Sequence, residues 1–152
     1  MALEFSTIGV KVKYAVETTV GSRPTSGYSE IPDIKSIPDI AMTPNQIEVT
    51  NLQDKVRRFV PGVQDAGSNL QMTANYTRNL VTVWGSMVSA AETARASGKA
   101  TWFEIAIPNA DSYYIAGMPT PLGVNSMGVD AVIETSLSVV PNQIAGWAAA
   151  ST

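Results

Sequence analysis

The sequence predicts a mainly β domain: an antiparallel β-sandwich or open barrel with one α-helix packed on it. Three observations lead there. Short stretches of apolar–polar alternation recur along the chain, a single stretch of helical periodicity interrupts them, and Gly, Pro, Asn and Asp punctuate the intervals. A length of 152 residues fits one domain, 1–152, and 45% apolar residues can furnish its core.

The first strand is expected over residues 9–17, where Val10, Val12, Tyr14 and Val16 share one face and Lys11, Lys13 and Glu17 the other. From 21 to 46 periodicity dissolves into Gly, Pro, Ser and Thr, with prolines at 24, 32, 38 and 44. A stretch this long without pattern is unusual inside a compact domain and is commonly functional or disordered. Its isoleucines argue against a plain solvated linker. Strands resume at 46–50 and 55–60, and over 69–76 Leu70, Met72, Ala74 and Tyr76 alternate with Asn69, Gln71, Thr73 and Asn75.

A helix follows over 79–97. Leu80, Trp84, Met87, Ala91 and Ala94 recur at spacings of four and three and form one apolar stripe. Thr77 or Asn79 suits its cap and Gly98 its left-handed stop. Gly85 inside it costs up to about 1 kcal/mol relative to alanine, a cost that close approach to a sheet would explain. Strands at 101–107 and 112–117 are joined by Pro108-Asn109-Ala110-Asp111, a hairpin turn. The longest alternation runs over 129–139: Val129, Ala131, Ile133, Leu137 and Val139 oppose Asp130, Glu134, Ser136 and Ser138. Beyond Pro141 the chain is rich in Gly and Ala around Trp147.

Chemistry is sparsely represented. With no cysteine and no histidine, disulfides, thiolate metal sites and His-based triads are excluded, which leaves only carboxylate or Ser-Lys arrangements. Asp130 and Glu134, four positions apart on one strand, would stand ~13 Å apart, beyond the ~5–9.5 Å of glycosidase pairs. They read as a solvated strand face. Gly98-Lys99-Ala100-Thr101 lacks the upstream glycine of a phosphate loop and follows a helix instead of a strand. No catalytic, metal or cofactor residue is assigned, and the chain is expected not to be an enzyme.

Lys55, Arg57 and Arg58 form the one basic cluster, flanked by Asp54 and Asp65. Local or inter-subunit salt bridges suit it better than phosphate binding. The net charge of −3 lacks the basic excess of a nucleic-acid-gripping protein. No run reaches the ~18 apolar residues of a membrane span, and no secretory signal opens the chain. The sequence therefore points to a protein made and kept in a cytoplasm, or assembled there into a particle.

The order of signals in the middle of the chain carries more information. The turn Ile37-Pro38-Asp39-Ile40 leads to the β-type run Ile47-Glu48-Val49-Thr50 and an acidic turn at Asp54. A basic stretch, Pro61-Gly62 and Asp65 follow, then an alternating strand into Asn75-Tyr76 and at once the amphipathic helix. This order resembles the major tail tube proteins of long-tailed, siphovirus-type bacteriophages, over about residues 28–139. The resemblance implies a tail-tube fold with an extended loop and terminal arms, whose subunits form homohexameric rings that stack into a tube. It further implies tail tip and tail terminator proteins as partners and double-stranded DNA passing without specific binding. The implied location is the virion tail, assembled in the bacterial host cytoplasm.

Within that picture Asp130, Glu134, Ser136 and Ser138 are the first candidates for a polar lumen lining, and Gln71, Thr73 and Asn75 the second. Neither strand carries Lys or Arg on that face, and screening confines wall charges to about 8 Å. Lys11 and Lys13 would trap DNA, so their face is assigned outward or to a subunit contact. The resemblance implies residues 1–8, 21–46 and 141–152 as assembly arms, mobile in the free subunit. Ile31, Ile34, Ile37, Ile40 and Met42 would be anchors on the neighbour, with Arg57, Arg58 and Trp147 as further contacts. Two other readings stay open here: an inner-tube subunit of a contractile tail or secretion-type injector, and a free β-sandwich module that binds a protein or sugar.

Overall fold

A computed structural model describes residues 4–41, 43–65 and 69–152. The strands are β1 Lys11–Val16, β2 Ser29–Ile31, β3 Ile34–Ser36, β4 Thr43–Glu48, β5 Phe59–Asp65 and β6 Leu70–Asn75. After helix α1, Arg78–Ala96, come β7 Thr101–Ala106, β8 Ser112–Pro119 and β9 Glu134–Ala148. Seven strands make one antiparallel sheet in the order β2-β1-β7-β8-β9-β6-β3, while β4 and β5, among the described residues, pair only with each other.

The two edges of the large sheet are neighbours in sequence. Only Pro32 and Asp33 separate β2 from β3, and Asp33 takes the left-handed conformation that turns the chain. Because every ladder is antiparallel, β2 and β3 run in the same direction. They act as one kinked strand, pairing with β1 on one side and β6 on the other. That link curls the sheet into a nearly closed barrel and leaves few exposed edges. Residues 21–46, expected to lack periodicity, thus contain β2, β3 and the start of β4.

The main core joins Val12, Ile31, Met72, Ala74, Phe103, Leu137 and Val139 of the sheet to Leu80, Trp84 and Met87 of the helix. Fully burying each such large side chain stabilises by about 1.5–3 kcal/mol. The buried helix positions are Leu80, Trp84, Met87, Ala91 and Ala94, the expected stripe. Thr77 caps the helix by accepting from Leu80 N at 3.1 Å, and its hydroxyl donates to Asp33 at 2.7 Å. Helix start and barrel-closing turn are therefore tied together. Trp84 Nε1 donates to Thr120 O at 2.8 Å, which satisfies its polar handle inside the apolar packing.

Several expectations are corrected. Residues 55–58 form no strand; the second hairpin strand begins at Phe59 and runs through Pro61 and Gly62. Pro61 is tolerated because the two-stranded sheet has a free edge. The strand expected from 129 begins at Glu134 and continues through Pro141 to Ala148. Asp130 has a φ of 56° and lies in the preceding turn, so it does not share a strand with Glu134. Gly85 is exposed with nothing within 4 Å of a notional Cβ, so no close approach to the sheet explains it. The glycine that does need to lack a side chain is Gly117, where a Cβ would stand 2.6 Å from Val140 O beside a bulge.

The outer faces of β7 and β8 are covered by the chain itself. Glu17, expected on a wet face, is buried and accepts from Gly21 N, Ala100 N and Trp102 Nε1 at 3.0, 3.2 and 2.8 Å. Glu104 is fully buried and accepts from the Tyr114 hydroxyl at 2.7 Å and from Ser151 N and Oγ at 2.9 and 2.7 Å. Arg23 lies 4.0 Å from the Tyr114 ring centroid, and Thr152 N donates to Thr25 O. The C-terminal residues, expected to form an arm, fold back on this face.

Candidate functional site

The two polar strand faces singled out in the sequence are a single surface. Strands β6 and β9 pair with Gln71 opposite Ser138, Thr73 opposite Ser136 and Asn75 opposite Glu134. Directly opposed residues of an antiparallel ladder point to the same side. The intervening Met72 and Leu137 point into the core, where both are buried. The alternation that fills the core therefore also lines up six polar side chains on the other side.

That surface is broader than the two strands. Backbone N–H groups of Thr120, Gly123 and Asn125 donate to the carbonyls of Ser138, Ser136 and Glu134, extending the pairing past the end of β8. Asn125 also meets the Ser136 hydroxyl. From the opposite edge Lys35 of β3 reaches Glu134 in an ion pair. The expectation of a face free of Lys and Arg is corrected by β3, which the sequence did not place beside β6. The pair compensates the one carboxylate of the ladder and leaves a surface of hydroxyls and amides with little net charge. Asp130 lies outside this ladder.

The second feature is the hairpin β4–β5. Each described residue of β4 is exposed, as are Phe59, Val60, Pro61 and Val63 of β5. Ile47, Val49, Leu52, Val56, Phe59, Val60 and Val63 all present large apolar surface to solvent. A lone two-stranded hairpin is marginally stable in water, and contiguous exposed apolar residues mark an interaction surface. At its tip Arg58 pairs with Asp54 at 3.0 Å and Arg57 with Glu48 at 3.9 Å. Arg57 and Arg58 of the basic cluster thus make salt bridges within the hairpin, worth little where exposed.

The isoleucines expected as anchors on a neighbour lie elsewhere. Ile31 is 2% exposed in the chain's own core, so it is not free to dock on another subunit. Ile34 and Ile37 pack against that core and Ile40 against a second cluster of Leu70, Ile115 and Ile144. Met42 lies outside the described residues, as do residues 1–3 of the expected N-terminal arm. Trp147 sits on β9 against Tyr113, ring centroids 5.2 Å apart, with 63% of its surface exposed. Lys11 pairs with Glu30 at 3.7 Å. Among the described residues no group of three or more Asp or Glu converges as a metal site.

The exposed apolar residues that the sequence reading does not single out are those of the hairpin itself. Their signal was present: apolar side chains at 47, 49, 52, 56, 59, 60 and 63 around a polar turn. Single-strand alternation conceals it, because both faces of this hairpin are wet.

No protein-family model and no curated protein matches the chain. Solved structures do. A chain of the six-fold symmetrised baseplate of the anti-feeding prophage superposes with a TM-score of 0.63 at 8% identity, covering 95% of each chain. A chain of the C6-symmetric tail of an empty gene transfer agent particle gives 0.59 at 12% identity, covering 95% of this chain and all of the other. The SPP1 tail tube gives 0.56 at 16% identity, covering 98% of this chain and 82% of that one. The fold is that of tail-tube proteins, a nearly closed antiparallel barrel with one packed helix.

Proposed function

We propose that the chain is a structural subunit that polymerises as stacked hexameric rings into a phage tail tube, a conduit for double-stranded DNA. The observation that carries this reading is the hairpin β4–β5, which exposes a row of apolar side chains and, among the described residues, pairs with no other strand. Such a surface marks a site of protein contact, and a subunit that joins copies of itself would supply the partner from the next copy. The fold shared with tail and baseplate chains of six-fold symmetry supports the same conclusion. Tail tip and terminator proteins would close the two ends of the tube, and the chain supplies no chemistry of its own.

The polar ladder of β6 and β9 is the proposed lumen wall. Sliding DNA is retained by Lys and Arg, which release counterions from its phosphates. A face of Gln71, Thr73, Asn75, Ser136 and Ser138, with Glu134 compensated by Lys35, offers no such trap. Asp130, in the turn before β9, is not part of that face. The hairpin, together with the N-terminal segment and Trp147, would make the contacts between subunits and rings, and Arg57 and Arg58 would exchange their carboxylate partners across them.

Electron microscopy of concentrated protein tests the reading. Hollow tubes of stacked rings are the expected result, with the β6–β9 face inward in a helical reconstruction. Small isolated particles at every concentration, with the hairpin protected against proteolysis, would overturn it in favour of a free binding module.

A further inference from the structure

We infer that Glu134 is a charge mask: it holds the ammonium of Lys35 and so keeps the phosphates of passing DNA from using that lysine as a foothold. The inference rests on the tube reading and assigns one residue the task of keeping its wall passive. Lys35 is the one basic residue in β3, β6, β9 and the stretch between β8 and β9. Glu134 is the one acidic residue of the same three strands. The two form an ion pair across 99 positions of sequence.

The sheet explains why a lysine stands there. β3 is the outermost strand beside β6, and an outermost strand leaves backbone groups open to a foreign strand. Lysine and a β-bulge are two devices that blunt such an edge. β3 has both. Ile34 lies opposite Ala74 and Ser36 opposite Thr73, which makes Lys35 the extra residue of a bulge. From there its exposed side chain reaches across β6 to the carboxylate on β9. The edge therefore calls for a cation at the border of a surface that must not hold phosphate.

Glu134 answers both demands. Its backbone is held by pairing with Asn75 and by the Asn125 N–H on its carbonyl. Its side chain is 27% exposed, against 54% for Lys35, so the carboxylate is the fixed member and the ammonium the mobile one. Charges in contact lie well inside the screening length of about 8 Å at physiological salt. Seen from the lumen, the pair counts as neutral. An exposed pair adds little to stability; its use lies in the charge it conceals. Without the carboxylate each copy would present a free ammonium, and every phosphate neutralised there would release counterions. A ring of copies would repeat that contact around the duplex.

Glu134→Gln tests this, because it removes the charge and keeps the shape. Glu92→Gln, on the exposed face of the helix, changes the net charge equally and serves as the control. Each protein is concentrated with short duplex DNA, imaged, and treated with nuclease. E134Q tubes are expected to retain protected DNA that wild-type, E92Q and K35Q/E134Q tubes lose. Retention should fall with salt by an extra slope of about 0.9 in log K against log salt for each phosphate newly neutralised. E134Q tubes that lose DNA as the wild type does would overturn the mask and leave the tube reading standing. Equal retention by K35Q/E134Q or by E92Q would do the same, as would tubes from the wild type but none from E134Q, which would make the pair an assembly contact. No tubes from any of the proteins would overturn both.

Discussion

Gln71 lies directly opposite Ser138 across the β6–β9 ladder, and the pair points away from the core that Met72 and Leu137 fill. Two segments 67 positions apart thereby become one surface. If this surface is luminal, adding cations to it should convert a passive wall into a trap. The double variant Q71K/S138K is expected to assemble tubes that retain short duplex DNA in nuclease-protected form. Retention should fall steeply with salt, because each neutralised phosphate contributes a slope of about −0.9 in log K against log salt. A lysine at Ser89 on the exposed helix face should instead hold DNA that nuclease degrades. Complete nuclease sensitivity of DNA on Q71K/S138K tubes would place the ladder on the exterior.

The buried carboxylates Glu17 and Glu104 make stability depend on acid. Burial pushes each pKa up, but the hydrogen bonds each accepts more than offset this and leave it below the ordinary carboxylate value. For Glu17 these come from Trp102, Ala100 and Gly21, and for Glu104 from Ser151 and Tyr114. A depressed folded-state pKa means that the unfolded chain binds more protons. The stabilisation is complete above the unfolded value near 4.5 and is lost as pH falls through the folded one. Urea midpoints of the wild type should therefore fall below pH 4.5 more steeply than those of E17Q/E104Q. Parallel pH profiles would show that these two groups contribute nothing to the acid response.

How much of this was legible in the sequence depends on how far each element's partners lie. The helix stripe from Leu80 to Ala94 is a local periodicity and appears as read, as do the two faces of β6 up to Asn75; Tyr76, expected with Leu70, Met72 and Ala74, lies past the strand end and is exposed. Alternation that continues back through Val129 and Ala131 conceals the start of β9 at Glu134. Pairing cannot continue there, since the β6 ladder stops at Asn75 opposite Glu134 and Asp130 turns left-handed. Strands β2 and β3, three residues each, carry no periodicity; they exist because β1 and β6 offer edges to them. The polar ladder had its residues named but not its unity, which depends on a register between segments far apart. Lys35 was missed for the same reason.

Gly85 tests the helix independently of assembly. It sits exposed in the helix interior with open space where a Cβ would go. Alanine there should stabilise the subunit by up to about 1 kcal/mol, by restricting the unfolded chain and favouring the helix. A domain of this size should show a rise in Tm of roughly 2–4 °C per kcal/mol. A fall in Tm would show that the space beside Gly85 is filled in the protein in solution, as by a neighbouring subunit. Comparing dilute and concentrated samples would separate these cases, because only the filled site makes the penalty grow with concentration.

The hairpin β4–β5 separates folding from assembly. Leu52, Val56 and Val63 are each at least 75% exposed, so replacing all three with serine removes little buried surface from the lone subunit. Its unfolding free energy at low concentration should shift by no more than about 1.5 kcal/mol, at most about 0.5 for each surface substitution away from structural features. Assembly should respond differently. If the hairpin docks on another copy, each apolar side chain desolvated there contributes about 25 cal/mol per Å² of area removed from water. Losing three of them should abolish tubes at concentrations where the wild type polymerises, as sedimentation velocity would show. Unchanged polymerisation of L52S/V56S/V63S would exclude the hairpin's apolar surface from the contact. A large loss of stability in the dilute subunit would show instead that these side chains pack against their own chain.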